Sequence, residues 1–379
     1  MFAAEFYKIV TRKLNRICFL VVFVWILLQF FMTGPFNERC SLGTNYGNQA
    51  REDFSGFAAI KKDRELAARY EGVLTDEKIR RMAEECFFQE KSGRIVTNAN
   101  FVNKFFTGNG LTDEVPGNGE DYVPASKTIR LQDSSMGAYA DRPILFAYIR
   151  GWQVLQSLMQ IGSISVCLFL IIALAPVFAE EYSLKTAPVL MTTAHGRGRD
   201  IGARIGAAAV FSFGSFLFFG ILMVLLCGCC YGFQGLSCFA GMLSYTWMLP
   251  ERGVGSISYM TIGQYFGIYF LFLFLGVGIL TAFMLFASAI SRQIYTALLL
   301  GLVFFVLPVI LWGYVKMAGT SMAAAQNLLK FIYSMPVFAC VNEPAEAIMT
   351  EGMSMFRCGV FAAAVGGFLL LAVRCYRKN

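Results

Sequence analysis

Charged side chains that could do chemistry are concentrated in one short stretch of this chain. Glu180 and Glu181 directly follow an apolar run, and Arg197, Arg199 and Arg204 lead into the next apolar run. The arginines suit anchoring on the cytoplasmic side of a membrane, which does not explain the two glutamates. A catalytic centre needs a nucleophile with a base, or metal ligands, and no such set is visible in a chain with a single histidine. We therefore expect the chain not to be an enzyme.

A second polar feature is a stripe of amides inside an apolar segment. Gln153, Gln156 and Gln160 are spaced at i, i+3 and i+7, which places them on one face of a helix. Such a stripe faces protein or a watery cavity and not lipid. Two interpretations stay open, which are hydrogen bonding between helices and the lining of a translocation path.

Signals for a cofactor are missing from the sequence. The chain has no G-x-x-x-x-G-K-[S/T] loop for nucleotide phosphates, and the glycines at 196–202 have the wrong spacing for a dinucleotide loop. The cysteine cluster at 227–230 has no neighbouring histidine or acidic residue, so buried thiols are favoured over a metal site. We expect no cofactor and no metal bound by this chain itself.

The composition indicates which elements position these residues. Of 379 residues, 56% are hydrophobic and 15% are charged, and the mean hydropathy is +0.56. Soluble domains are about 45–50% apolar and about 25% charged. Both values exclude an ordinary soluble protein and a disordered one. The net charge of +7 would suit nucleic acid, but the distribution of the basic residues favours a membrane.

Six apolar segments are long enough to cross a bilayer, which takes about 20 residues. The fold class is therefore predicted as an all-α polytopic membrane protein. No small-x-small cleavage site follows the first segment, so it is interpreted as an uncleaved span and not a signal peptide. None of the six contains an ionisable residue well inside it, which argues against ion-driven transporters and proton pumps. The predicted spans are 17–33, 152–178, 205–231, 263–290, 294–315 and 358–373.

Lysines and arginines predict the orientation, because they are enriched in cytoplasmic loops. They concentrate in the tail at 1–16, the loop at 179–204, the hinge at Arg292 and the tail at 374–378. All of these lie on one side if both termini are cytoplasmic. We expect a multi-pass protein of the plasma membrane with this orientation and no nucleic-acid partner.

The long insertion at 34–150 separates the first two spans and is predicted to be an α-rich extracellular domain, followed by a five-span bundle at 151–379. One helix is predicted at about 50–70. Another begins at Thr75, a good N-cap with acidic residues in the turn after it. No catalytic constellation is visible in the insertion, which favours a lid or binding module. Disulfides among the outer cysteines stay open; these are Cys40, Cys86, Cys238 and Cys340.

The stretch from Phe178 to Arg204 resembles the cytoplasmic segment of the type-2 ABC exporter permeases. In that family, an acidic residue at the end of span two is followed by Gly-Thr, a Leu-rich turn, Thr-Thr-Pro and a basic residue. Two positions depart from the pattern, because Lys185 replaces the glycine and Ala194 replaces the proline. The matching positions are Glu181, Thr186, Val189, Leu190, Met191, Thr192, Thr193, Arg197 and Arg204.

The remaining topology is similar to the longer members of that family. The segment at 1–16 is predicted to be an amphipathic interface helix, with Phe2, Phe6 and Ile9 on its apolar side and basic residues for lipid headgroups. The family also has short outer helices between spans five and six, for which 321–333 and 344–351 are the candidates.

The resemblance implies a mechanism and a set of partners. The loop at 179–204 would be a coupling helix docked on a separate ATPase subunit, which would hold ATP and Mg. A second permease copy or a paralogue would complete the assembly in the lipid bilayer, and the substrate would be an exported amphipathic peptide, lipid or drug. The implied coupling residues are Glu180, Glu181, Thr186, Leu190, Met191, Thr193, Arg197 and Arg199.

The size of the insertion motivates an alternative function. The chain would then be a non-transporting membrane sensor or immunity scaffold whose extracellular domain binds a ligand. Loss of ligand binding on removal of the insertion, without any response of ATP hydrolysis to the ligand, would favour this alternative.

Overall fold

A computed structural model describes most of the chain. The described residues are 1–42, 52–86, 88–89, 95–96, 100–108, 111–114, 122–124, 130–133, 142–186, 198–245, 260–318, 335, 337–342 and 355–378. The predicted short helices at 321–333 and 344–351 lie outside these ranges.

Helices dominate the described residues. In chain order they are α1 (Phe2–Thr11), α2 (Lys13–Thr33), α3 (Gly56–Ala68), α4 (Asp76–Cys86), α5 (Phe101–Gly108), α6 (Arg150–Leu174), α7 (Pro176–Ser183), α8 (Arg199–Tyr231), α9 (Ile262–Ile290), α10 (Ile294–Ala318) and α11 (Met355–Lys378). Short 3₁₀ turns cover Leu131–Asp133 and Ala240–Tyr245, and a π-helical turn covers Phe338–Asn342.

Six candidate membrane spans are present among the described helices, as the sequence predicts. They lie in α2, α6 with α7, α8, α9, α10 and α11, and their mean hydropathies run from 1.8 to 2.7. Large apolar side chains are exposed along α2, α10 and α11, including Leu20, Leu299 and Leu370. Exposed apolar surface of this extent suits contact with lipid tails. The six helices indicate a membrane-embedded protein.

The N-terminal boundary differs from the predicted one. The interface helix expected over 1–16 ends at Thr11, because Arg12 has φ −56° and ψ 127° and interrupts the helix. The helix of the first span therefore begins at Lys13 and not at residue 17. Its first turn is basic, and long basic side chains tolerate this position because they reach toward the polar headgroup layer.

The second predicted span, 152–178, is not one continuous helix. It breaks at Ala175, and α7 starts at Pro176. Proline has no backbone N–H and its ring clashes with the preceding turn, so the break follows from the residue type. The last span begins earlier and ends later than the predicted 358–373, because α11 includes the basic residues that flank the apolar run.

Among the described residues of the insertion, short strands accompany three helices, so this part is less purely helical than predicted. Four two-stranded antiparallel sheets pair β1 (Arg39–Leu42) with β2 (Glu52–Ser55), β3 (Gly72–Val73) with β8 (Leu145–Phe146), β4 (Phe88–Gln89) with β5 (Ile95–Val96), and β6 (Thr112–Glu114) with β7 (Tyr122–Pro124).

The helix predicted at about 50–70 is therefore wrong at its start. Residues 52–55 form β2, in which Phe54 pairs with Cys40. Gly56 has φ +63°, a left-handed conformation that favours glycine and lets the chain turn from the strand into α3. The helix predicted from Thr75 is confirmed, since the N–H of Lys78 donates to the Thr75 hydroxyl at 3.3 Å.

Contacts divide the chain into two compact units. One comprises Met1–Ile26, Met159–Leu222 and Ile268–Asn379, and the other comprises Leu27–Leu158 and Met223–Gly267. The second unit contains the insertion together with the residues around the turn after α8. The four cysteines for which disulfides stayed open are all in the thiol form.

Candidate functional site

The segment that precedes the predicted coupling loop is fixed by one buried serine. Ser288, near the end of α9, donates from its hydroxyl to the carbonyl of Ala175 at 2.8 Å. The same oxygen accepts from the N–H groups of Phe178 at 2.9 Å and Ala179 at 3.0 Å. The break at Pro176 exposes these backbone groups, and leaving them unpaired in a buried site costs free energy. Ser288 therefore attaches the start of α7 to α9.

Two cations, Lys8 of α1 and Arg12 directly after α1, hold the carboxylates at the end of α7. The ammonium of Lys8 lies 3.2 Å from Glu180 Oε2 and 3.1 Å from Glu181 Oε1. The guanidinium of Arg12 pairs with Glu180 as well. Lys8 lies on α1 and Arg12 follows its last residue, and both cations contact the Glu180 carboxylate.

Arg204 of α8 completes this group of charges. Its side chain is 2% exposed and lies 2.8 Å from Asp200 Oδ2, 3.3 Å from Glu181 Oε1 and 4.0 Å from Glu5 Oε1. It also donates to the carbonyl of Val177 at 3.2 Å. We call Glu5, Lys8, Arg12, Glu180, Glu181, Asp200 and Arg204 the inner ion cluster. A buried charge of this kind requires its partners, because desolvation is otherwise expensive.

The chain leaves α7 through a tight turn at Lys185. Lys185 has φ +58°, in the left-handed region that favours glycine. The N–H of Thr186 then donates to the carbonyl of Glu181 at 2.9 Å, and the Thr186 hydroxyl bonds to the Glu181 carboxylate. The turn thus returns the chain onto the acidic residue that belongs to the inner ion cluster.

The structure brings together part of the predicted coupling site. Glu180, Glu181 and Thr186 meet at the end of α7, whereas Arg199 is exposed at the start of α8. The carboxylates predicted to face a partner are engaged by cations of the same chain. Leu190, Met191, Thr193 and Arg197 lie outside the described residues, as does His195.

Sequence reasoning missed the internal partners of this site. It assigned the basic residues of the N-terminal helix to lipid headgroups and did not pair them with Glu180 and Glu181. The sequence contains one signal for such partners. Glu180 and Glu181 lie beside a predominantly basic membrane face, and positive-inside sorting does not explain carboxylates there. Glu5 and Asp200 carry no such signal, because isolated acidic residues near helix ends are common.

Two of the three glutamines in the stripe, Gln153 and Gln156, are buried and donate hydrogen bonds. Gln153 is 1% exposed, and its amide donates to the carbonyl of Met242 at 3.2 Å. Gln156 is 5% exposed and donates to the hydroxyl of Tyr265 at 2.9 Å. Gln160 is half-buried. The arrangement of the first two favours the interpretation as interhelical hydrogen bonds, and their part in a translocation path stays a prediction.

A separate group of buried charges lies within the second compact unit, which contains the insertion. Glu38 is 1% exposed and lies 2.7 Å from the Arg150 guanidinium and 3.7 Å from the Lys104 ammonium. The hydroxyl of Tyr231 donates to it at 3.3 Å. These contacts join the start of α6, α5 and the end of α8, so the group is an attachment point for the insertion helix α5.

Asp63 of α3 is buried close to this group. Its carboxylate accepts from the N–H of Phe101 at 2.9 Å and also lies near Cys40 and Lys104. Burial raises the pKa of Asp63 to about 6, although Lys104 and the Phe101 N–H act in the opposite direction. Burial likewise raises the pKa of the Cys86 thiol to about 11, and it also raises the pKa of the Cys40 thiol. Both thiols therefore remain protonated at neutral pH.

The raised pKa of Asp63 predicts a pH dependence of the insertion. Because the folded state favours the protonated acid, the stabilisation is complete below the unfolded pKa of 3.8 and is lost as the pH rises through about 6. The full change is about 3 kcal/mol. Hydrogen exchange of the α3 and α5 amides, corrected for intrinsic rates, should therefore show less protection at pH 7 than at pH 5.

Asp63→Asn should abolish this slope, while Glu65→Gln, on the exposed side of the same helix, should leave it unchanged. An identical slope in the wild type and in Asp63→Asn would contradict the assignment.

Comparison with known proteins adds no relative. The chain matches no protein-family model, no curated protein and no solved structure. Among the described residues, no group of three or more His, Cys, Asp or Glu side chains is arranged to hold a metal ion.

Proposed function

We propose that this chain is the transmembrane permease subunit of an ATP-binding cassette exporter. It moves an amphipathic substrate, a peptide, lipid or drug, out of the cell with energy from a separate ATPase subunit that binds ATP and Mg. The assembly contains a second copy of the chain or a paralogue. It resides in the plasma membrane, with both termini in the cytoplasm.

The geometry at Lys185 is the observation that carries this proposal. Type-2 ABC exporter permeases have glycine at the position that Lys185 occupies in the matching stretch. The left-handed φ of +58° at Lys185 is the conformation that glycine would favour there. The sequence match and the backbone thus agree at a position where the residue types differ, which supports the register of the match.

The attachment of the flanking helices gives further support. A coupling element transmits force only if its ends are held by rigid neighbours. The α7 side is held by Ser288 and by the cations of Lys8 and Arg12. The α8 end is held by Arg204, which contacts both Glu181 and the carbonyl of Val177. A pull on the predicted coupling segment between α7 and α8 would therefore move α1, α7 and α8 together.

Photo-crosslinking of the full chain in its native membrane tests the docking step. A photoreactive amino acid is placed at Leu190, and in a matched control at Phe57, which is 55% exposed in the insertion. We expect capture of an ATPase subunit from position 190 and not from position 57. Mass spectrometry of the adduct, searched for a Walker A sequence, identifies the captured chain.

Function is then tested with the copurified complex. Leu190→Asp should abolish substrate-stimulated ATP hydrolysis, because it removes an apolar docking contact. Export by the chain without any ATPase would contradict the proposal. Ligand binding by the insertion in a chain that captures no ATPase would favour the alternative, a sensor or scaffold.

The predicted orientation is tested independently by thiol labelling. In a variant without other cysteines, Ser183→Cys should react with a membrane-impermeant maleimide only after the cells are opened. Phe57→Cys should react in intact cells. The reverse pattern would place the coupling loop outside and would end the proposal.

A further inference from the structure

An apolar groove runs beside the elbow between α1 and α2. Its volume is about 610 Å³, within the range of sites that hold small ligands. Phe6 and Val10 of α1 form one wall, and the rings of Phe19 and Phe218 approach to 5.3 Å on another. Gly214 of α8 also lines it, and a Cβ built there would meet no atom within 4 Å. The groove is therefore open space bounded by aromatic rings.

The elbow that forms one wall is held in place. The buried amide of Asn15 donates to the carbonyl of Ile9 at 2.7 Å, which links the start of α2 to the end of α1. This bond satisfies a carbonyl near the helix end, where no intrahelical donor is available. The wall formed by Phe6 and Val10 is thereby positioned independently of any bound molecule.

A cation stands at the mouth of the groove. Arg16 lines it and is exposed, one turn before Phe19 on α2. Among the described residues, Arg16 has no ion pair, in contrast to Arg12 and Arg204 of the inner ion cluster. A guanidinium presents several donors in a plane that matches phosphate oxygens. The mouth of the groove thus offers an anion site next to an apolar channel.

We propose that this groove binds one anionic phospholipid, with its phosphate on Arg16 and an acyl chain along the rings of Phe19, Phe169 and Phe218. The charge at the mouth and the apolar lining behind it fit the two ends of such a molecule. Arg16 also lies at the end of a helix apolar enough to span a membrane, so the groove opens where headgroups meet hydrocarbon. The inference does not depend on the proposed transport function.

Native mass spectrometry of the full chain, titrated with phosphatidylglycerol and with phosphatidylcholine, tests this proposal. We expect one phosphatidylglycerol to bind more tightly than phosphatidylcholine. Arg16→Gln should weaken phosphatidylglycerol binding about fivefold, since one basic residue near a membrane surface contributes about 1 kcal/mol. It should weaken phosphatidylcholine binding less, because the choline ammonium offsets the charge of the phosphate. Gly214→Leu fills the groove and should weaken the binding of both lipids.

Matched controls are Arg292→Gln, an exposed arginine elsewhere, and Gly313→Leu, where an added Cβ also meets nothing within 4 Å. Both should bind the lipids as the wild type does. Equal binding of the two lipids, or no effect of Arg16→Gln, would overturn the proposal. The proposal would also be overturned if Gly214→Leu changed the oligomeric state, from monomer to dimer or the reverse, and left lipid binding unchanged. The groove would then be an interface between copies of the chain.

A photoreactive acyl chain keeps the test valid if a variant fails to fold. Phosphatidylglycerol that carries the reactive group should label the wild type on peptides containing Phe19 or Phe218. Labelling confined to other helices would contradict the assignment.

Discussion

Replacing Arg204 with methionine should destabilise the protein by about 3–5 kcal/mol. The substitution leaves the carboxylates of Glu181 and Asp200 without their shared cation, and it removes the donor to the carbonyl of Val177. Methionine has an unbranched side chain that can occupy much of the vacated volume, so the loss is mainly electrostatic. In detergent, the thermal unfolding midpoint followed by size-exclusion chromatography should fall by roughly 5 °C.

Arg199→Met is the matched control for this prediction. Arg199 lies on the same helix and is exposed, and removing an exposed charge typically changes stability by less than about 1 kcal/mol. Arg204→Lys should give an intermediate loss, because lysine keeps the charge but cannot bond to several acceptors in one plane. Equal midpoints for Arg204→Met and Arg199→Met would show that the inner ion cluster contributes nothing to stability.

Replacing Gly301 with leucine should largely prevent recovery of monodisperse protein. A Cβ at Gly301 of α10 would lie 2.3 Å from Met284 Sδ and 2.9 Å from Ile171 Cγ2. The methionine can rotate away, but the branched isoleucine on α6 has little freedom to move. Overpacking by a few methylene groups costs about 1–3 kcal/mol, and leucine adds a full side chain at this contact.

Gly313→Leu on the same helix separates packing from the loss of glycine. An added Cβ there meets no atom within 4 Å, so this variant should purify as the wild type does. Fluorescence-detected size-exclusion chromatography gives the comparison directly. A normal monodisperse peak for Gly301→Leu would show that α10 does not pack closely on α6 and α9.

The spans were predictable from the sequence because the bilayer requires a minimum length of apolar residues. The N-cap at Thr75 was predictable because capping involves residues three positions apart. The strands of the insertion were not, since two-residue strands such as Gly72–Val73 and Leu145–Phe146 are stabilised by partners distant in sequence. The break at Pro176 follows from a local rule that the span prediction did not apply.

Only part of the candidate site could be predicted, for a similar reason. The carboxylates of Glu180 and Glu181 stand out as a local pattern beside an apolar run. Their partners Lys8 and Arg12 are more than 160 residues away, so no spacing rule joins them. Likewise, the left-handed turn falls on a lysine, a residue type that rarely adopts it, which hides the turn from composition.

The Ser288 hydroxyl makes three hydrogen bonds beside the break at Pro176, and this limits the residue types that position 288 can accept. A side chain there must donate one proton and accept two at the same oxygen, within a buried volume that admits only a small group. Threonine satisfies both conditions, whereas alanine, valine and cysteine each fail one. Saturation mutagenesis of Ser288 should therefore accept only residues that can bond to the backbone groups at the break before Pro176. The two positions are 112 residues apart in sequence.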